Sequence, residues 1–282
     1  MFRRMVILLA VLLGLPVSAN PDEIDWKPIF RGIEHASIRV APEATNNEAG
    51  DPPAPTLAIE ALRVDPNADG IVFDTSPSNS IAPRDTQLIT TSGFVRKHRV
   101  SVAVNTSFFG PGGEVGDNTD LVSLSIRRGR VVSPWEVRMP DSLVIRGREL
   151  SVIDDLSPEL DGIDFAVAGN LILHEGEIDA RGVAADSRHP RTALGITEDG
   201  RLLMVVVDGR RPGHSDGVTL EELAQWMIRL GAVHALNVDG GGSSTMVRMG
   251  ADGPEVMNKP SDGQERPVGA SIGVRALPLI EN

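Results

Sequence analysis

Two Asp-Gly pairs stand out among the residues able to do chemistry: Asp208-Gly209, and Asp239-Gly240-Gly241-Gly242 running on into Ser243-Ser244-Thr245. A carboxylate set in bare main chain suits the role of base or nucleophile, because glycine lets a ligand approach with no Cβ in the way. A single Asp-Gly also marks an ordinary turn. Two copies, each closing an apolar run and one extended to three glycines and two serines, point instead to a site. Arg191 follows Arg188 and His189 just ahead of another apolar run. Its guanidinium matches a phosphate in a bidentate fork, so beside a Gly-rich loop it is a candidate clamp for an anionic oxygen; a surface ion pair with Asp208 is the bland alternative. Asn105 precedes Phe108-Phe109 in a chain that is only 4% aromatic, which suggests an apolar wall with an amide at its edge, or equally a core Phe pair beside a turn Asn. Asp262 and Arg266 lie in the polar loop after the glycines and are tied to the site only by their nearness along the chain.

Bringing these groups together requires particular elements. The run Leu202 to Val207, rich in Val and too short for an ordinary helix, reads as a buried strand ending at Asp208. Thr219-Leu220-Glu221-Glu222 is a capping box that should start a helix. Leu220, Leu223, Ala224, Met227 and Ile228 then share one face, and Gly231 supplies the stop. Ala235 to Asp239 is the next strand. If the two strands are parallel in one sheet, both end on the same edge, where ligand sites of open α/β sheets gather, and Asp208 and Asp239 project there together. The turn Glu198-Asp199-Gly200-Arg201 makes a hairpin of Thr192 to Thr197 with the buried run, and that hairpin carries Arg191 to the Asp208 end. Further strands are expected at Ile33 to Val40, Leu57 to Val64, Val100 to Asn105, Leu121 to Ile126, Arg130 to Val132, Ser142 to Arg146, Glu149 to Ile153, Phe165 to Leu173 and Val268 to Arg275, with a short helix at Ser92 to His98.

Composition narrows the partners. Residues 1–19 carry two arginines, an apolar core from Met5 to Leu15 and Val17-Ser18-Ala19, which reads as a secretory signal peptide and not a membrane span. The expected organisation is signal peptide 1–19, an N-terminal strand and Pro-rich loop over 20–56, and one large domain over 57–282. The net charge of -12 argues against nucleic acid as a partner, since a phosphate backbone needs broadly basic surface. An exported chain without cysteine is held by its core and not by disulfides, in keeping with a periplasmic or secreted setting.

In order along the chain, Asn105 to Phe109, Phe165 to Gly176, Arg191 to Ile196, Val207 to Arg210, Thr219 to Gly231, Leu236 to Met246 and Asn258 to Gly269 resemble the phosphodiester glycosidase family, over about Leu57 to Leu277. The family includes bacterial proteins described as exopolysaccharide-related. The resemblance implies an α+β fold, a single large domain of mixed β-sheets packed on helices with the polar residues in one pocket. It places Asn105, Arg191, Asp208, Asp239, Gly240, Gly241 and Ser243 in that pocket, with Asn237, Asp262 and Arg266 as further members. Thr106-Ser107 departs from the Gly-Gly or Gly-Thr usual in relatives.

The implied reaction is hydrolysis of a sugar-1-phosphodiester. Its leaving group is already a stable anion, so the acid an ordinary glycosidase needs matters less, and Arg191 with the glycine amides can carry the charge. Asp208 or Asp239 would act at the anomeric carbon; the sequence does not choose between them. No cofactor is expected. The rival readings are a metal-dependent phosphodiesterase, with Asp208, Asp239 and Asp262 holding Mg or Ca, and a non-catalytic binder of polysaccharide or cell wall.

Overall fold

Every residue of Leu202–Val207 is buried, which suits a strand covered on both faces, and much of the molecule is arranged to cover it. The computed structural model describes residues 24–41, 55–79, 84–156, 158–182 and 184–279; the expected signal peptide and most of the Pro-rich loop lie outside them. In chain order the strands are β1 (Lys27–Phe30), β2 (Ile33–Val40), β3 (Leu57–Val64), β4 (Val72–Thr75), β5 (Thr86–Gln87), β6 (Val102–Asn105) and β7 (Phe109–Gly110). There follow β8 (Asn118–Leu121), β9 (Ser125–Arg127), β10 (Arg130–Ser133), β11 (Ser142–Arg146), β12 (Glu149–Ile153), β13 (Phe165–Ala168) and β14 (Asn170–His174). The last are β15 (Glu177–Ile178), β16 (Arg191–Thr197), β17 (Leu202–Val207), β18 (Ala232–Asn237), β19 (Met246–Met249), β20 (Pro254–Val256) and β21 (Ser271–Arg275). The α-helices among the described residues are α1 (Thr91–His98) and α2 (Leu220–Arg229).

The architecture is therefore predominantly β, which corrects the expected α+β arrangement of sheets packed on helices. Most of the core is sheet against sheet. The central sheet has the order β1-β2-β3-β17-β16-β18-β14-β15, with each neighbouring pair antiparallel. Even-numbered residues of β17 (Leu202, Met204, Val206) face the cluster that holds Val102 and Val104 of β6, Leu143 and Ile145 of β11, and Ile272 and Val274 of β21. These last three strands belong to two five-stranded sheets, β20-β19-β6-β21-β4 and β10-β9-β13-β11-β12. Odd-numbered residues (Leu203, Val205, Val207) face α2 through Leu220, Leu223, Ala224 and Met227. Full burial of each such side chain contributes about 1.5–3 kcal/mol.

α2 begins as the sequence indicates: Thr219 accepts from the Glu222 amide, and the Glu222 carboxylate accepts from the Thr219 amide. Its covered face differs in one member. Trp226 is 5% exposed and takes a guanidinium, that of Arg229, over its ring, whereas Ile228 is 40% exposed. β17 and β18 are parallel and end on one edge, but they are not neighbours. β16 lies between them, antiparallel to both, so its first residue, Arg191, starts at the edge where the other two stop. The expected strand Phe165 to Leu173 is divided: β13 belongs to one sheet and β14 to another, with Gly169 at the crossing. A Cβ on Gly169 would sit 2.9 Å from the Asn237 carbonyl oxygen, so a larger residue would push the two sheets apart there. The expected strand Leu121 to Ile126 is broken too, at Ser123, whose φ is 65.

Candidate active site

At the edge where β17 and β18 end, a cleft of about 610 Å³ is lined by Arg191, Asn237, Asp239, Gly240, Gly241 and Arg266 of the anticipated residues, joined by Phe108, Val122, Arg138, Met139, Asn170, His189 and Arg210. Asp239 is the carboxylate among the lining residues, set against four arginines. Two of the four are paired with carboxylates outside the lining, Arg138 with Glu136 and Arg266 with Asp262, which leaves Arg191 and Arg210 as the excess positive charge in a chain whose net charge is -12.

Asp239 sits where β18 gives way to the turn Gly240–Ser243. Its amide donates to Thr106 O at 2.8 Å, and its own carbonyl accepts from Asn105 Nδ2 at 2.5 Å. Its Oδ2 is covered and has no hydrogen-bond partner among the described residues. Burial pushes the carboxyl up to about 6, against the opposing pull of the Ser243 hydroxyl, the Arg266 guanidinium and the Gly240 amide. The Ser243 hydroxyl faces this carboxylate without a well-formed hydrogen bond, and the serine itself is 1% exposed.

Arg191 is buried and makes no ion pair with a described carboxylate. Its Nη2 donates to the carbonyls of Ala184 (2.7 Å) and Ser187 (3.0 Å), and Nε donates to that of Val218 (3.3 Å). Half of the fork is thus committed to holding the rim of the cleft, and Nη1 has no hydrogen-bond partner among the described residues. Burial and the nearby Arg210 bring its pKa down to about 10, still far above neutrality. Arg210, in the left-handed region at φ 57, reaches over the turn; a Cβ on Gly241 would lie 3.3 Å from its Nη1. Its Nη2 lies 3.2 Å from His189 Nδ1. A guanidinium only donates, so Nδ1 accepts and the imidazole proton sits on Nε2. Burial, Arg191 and Arg210 all hold His189 below its ordinary pKa, which keeps the ring neutral at pH 7. Arg266 covers the other side of the turn, held by Asp262 through Nε (3.0 Å) and Nη2 (2.6 Å).

Four of the anticipated residues do not line the cleft. Asp208 is 2% exposed, and its oxygens accept from His214 Nε2 (2.8 Å), Asn258 Nδ2 (2.9 Å) and the Lys259 amide (3.1 Å). The reason is strand periodicity: Asp208 continues the even-numbered face of β17, whereas Asp239 continues the face of Ala235 and Asn237 toward α2. Asn105 stands behind the turn as a strut, gripping Asp239 O while its Oδ1 accepts from Thr192 Oγ1 and the Thr245 amide. Asp262 acts through Arg266, and Ser243 lies beneath Asp239. Arg210 was missed as a site residue although it directly follows Asp208-Gly209, and His189 was noted only as a neighbour of Arg191; their bearing on Asp239 depends on the tertiary fold. The three aspartates suggested as metal ligands do not converge, and no group of three His, Cys, Asp or Glu side chains among the described residues is placed to hold a metal ion.

The family model for phosphodiester glycosidase matches residues 98–275, which span nearly the whole of this edge. The chain belongs to the phosphodiester glycosidase family. Local similarity to named proteins is higher but short. A SPbeta prophage-derived protein of Bacillus subtilis, YomE, is 38% identical over 81 residues, covering 29% of this chain and 12% of that protein. The bovine (Bos taurus) N-acetylglucosamine-1-phosphodiester alpha-N-acetylglucosaminidase is 40% identical over 60 residues, 21% of this chain and 11% of the enzyme. Among solved structures, the catalytic domain of the zebrafish enzyme of the same name superposes with a TM-score of 0.66 at 18% identity, covering 88% of this chain and 84% of that one. A hypothetical protein from Synechocystis superposes at 0.67 with 14% identity, covering 86% and 62%. At these identities the likeness is one of fold.

Proposed function

We propose that the protein hydrolyses the bond between an anomeric carbon and the phosphate of a sugar-1-phosphodiester, in an exported setting on extracellular or envelope glycans. The observation that carries this reading is a single buried carboxylate, Asp239, in a cleft also lined by two arginines, Arg191 and Arg210, that have no carboxylate partner among the described residues. Such a cleft disfavours a neutral glycoside, whose alkoxide leaving group needs a second carboxyl as acid, and favours a substrate that arrives with its own negative charge. Asp239, with its carboxyl up to about 6, is tuned for a base working near neutral pH. It takes one proton from water as the water oxygen bonds to the anomeric carbon. The carbon–oxygen bond breaks, its electron pair leaves on the phosphate oxygen, and the products are a free sugar and a phosphomonoester. Arg191 and Arg210 hold the departing phosphate charge, since the Gly241 amide is committed to the Pro190 carbonyl and the Gly240 amide to the Asp239 carboxylate. Phe108, Val122 and Met139 form the apolar wall against which a sugar ring packs. The name of the bovine relative specifies an N-acetylglucosamine-1-phosphodiester; from it we adopt the bond type.

Hydrolysis of a hexose-1-phosphodiester in ¹⁸O water tests this directly. Label is expected in the released sugar. Label in the phosphomonoester would mean attack at phosphorus and would overturn the reading in favour of a phosphodiesterase.

A further inference from the structure

Among the polar side chains of the cleft that the reaction above does not use, Asn237 is the one with a covered, unpaired atom. Asn237 is 4% exposed and lines the cleft, and its Oδ1 is covered yet has no hydrogen-bond partner among the described residues. Its backbone is fully engaged, paired with Asn170 of β14 on one side and Ala193 of β16 on the other, so the residue is held on a rigid central strand. A buried amide acceptor left unpaired costs about 1–3 kcal/mol, so the side chain gains by turning its amide to a ligand in the cleft that the residue lines. The neighbouring amide, Asn170, directs its Nδ2 to the Arg181 carbonyl and makes no bond to Asn237 Oδ1.

Register narrows which part of a ligand that is. Asn237 lies two residues before Asp239, so both side chains leave the strand on the same face, their Cα atoms about 6.5 Å apart. An atom held about 3 Å from the Asp239 carboxylate then has its neighbours, one or two bonds away, within hydrogen-bond range of the Asn237 amide. On the reading that Asp239 works at the anomeric carbon, those neighbours are substituents of the same sugar ring.

Resting on that reading, we infer that Asn237 is the specificity-determining residue for the sugar, hydrogen-bonding a ring hydroxyl or N-acyl group close to the anomeric carbon. A polar site built around such a group rejects an analogue that lacks it, because the amide then stays buried and unpaired. The residue touches substrate without taking part in the bond change, so its effects fall on binding and on the choice of sugar.

A double-mutant cycle in binding tests this without requiring turnover. The probe is a non-hydrolysable C-glycosyl phosphonate monoester of the hexose, together with its single-deoxy analogues, titrated calorimetrically into the wild-type chain and into Asn237→Ala. One deoxy analogue is expected to bind the wild type about 10- to 100-fold more weakly than the parent, in line with one lost buried hydrogen bond. In Asn237→Ala the parent should weaken by a similar factor and that one deoxy penalty should vanish. Asn237→Ser, which keeps a polar group too short to reach, serves as a second variant and should behave like the alanine form. If every deoxy penalty persists unchanged in both variants, or the wild type binds none of the probes, the inference is overturned. The two ideas fail separately: ¹⁸O appearing in phosphate removes the hydrolytic reading while leaving the binding cycle interpretable, and unchanged penalties remove Asn237 from specificity while leaving hydrolysis intact.

Discussion

At Asp239 function and stability pull in opposite directions. The folded carboxyl, at about 6, lies above its ordinary range near 4, so between those values the native chain holds more protons than the unfolded one and stability falls as pH rises. Asp239→Asn removes that dependence. Its melting temperature relative to wild type should rise from pH 4 to pH 7, by an amount equivalent to at most about 3 kcal/mol, while hydrolysis drops by about 100-fold or more. In the wild type, kcat/KM should climb with pH and level off above an apparent pKa near 6; a profile flat from pH 4 to 8 would remove Asp239 as the base. Asp208 should behave in the reverse way. Replacing it with Asn turns one acceptor oxygen into an amide donor that faces the donors around it, which costs about 1–3 kcal/mol, read as a lowered melting temperature. Hydrolysis measured well below that temperature should stay within a few fold of wild type.

At the level of elements, the glycines of the turn after β18 serve two separate functions. Gly240 lies against the start of β16: a Cβ there would be 2.9 Å from the Pro190 carbonyl oxygen, and backbone cannot swing away. Gly242 lies under side-chain tips, with an added Cβ 2.1 Å from Arg266 Nη2 and 2.2 Å from Asp262 Oδ2. Gly240→Ala should therefore lower the melting temperature and the activity together. Gly242→Ala should keep the fold and raise KM, because the Arg266–Asp262 pair moves off the cleft. Thermal melts and steady-state kinetics on the two variants separate these outcomes. The same packing explains why Arg191 is so well placed. The chain entering β16 is clasped at His189 and Pro190 by Gly209, Gly217 and Gly240, and Arg191 follows directly.

For the molecule as a whole, charge distribution decides which ligands enter. An acidic chain with a cationic cleft concentrates small anions at one place and repels extended polyanions elsewhere. KM for a phosphodiester should rise with ionic strength, and the phosphomonoester product should compete with substrate, its second negative charge drawing it to Arg191 and Arg210. Activity should survive a chelator, since the acidic residues are distributed over separate networks; its loss in the chelator and recovery with Mg or Ca would restore the metal-dependent alternative. Elsewhere the charges brace the sheets. Asp74, 2% exposed, holds Arg127, Arg128 and His98 around it, and although its burial works against ionisation these partners keep it well below the usual carboxylate range. That cluster ties β4 to the β9–β10 hairpin and to α1.

Local signals determined much of this. The capping box at Thr219, the hairpin at Asp199-Gly200, the strands Ser142 to Arg146 and Glu149 to Ile153, which pair through the turn at Gly147, and the buried run of β17 each depend on residues within a few positions of one another, and a single sequence carries that information. Two parallel strand ends, with Arg191 carried to the Asp208 end by the hairpin, were legible for the same reason; the place of β16 between them was not. What the tertiary structure decided was which face each group takes and what is packed behind it. Asp208 and Asp239 look equivalent in the chain, yet alternation along β17 and β18 sends one carboxylate into a cage of donors and the other into the cleft. Gly169 hands one apolar run from sheet to sheet, and Asp239 shares a cleft with Arg191 because β16 is inserted between β17 and β18. Short-range steric and capping preferences are written residue by residue, whereas the side of a sheet that is covered, and so the aspartate that is desolvated, is set by what the rest of the molecule stacks against it.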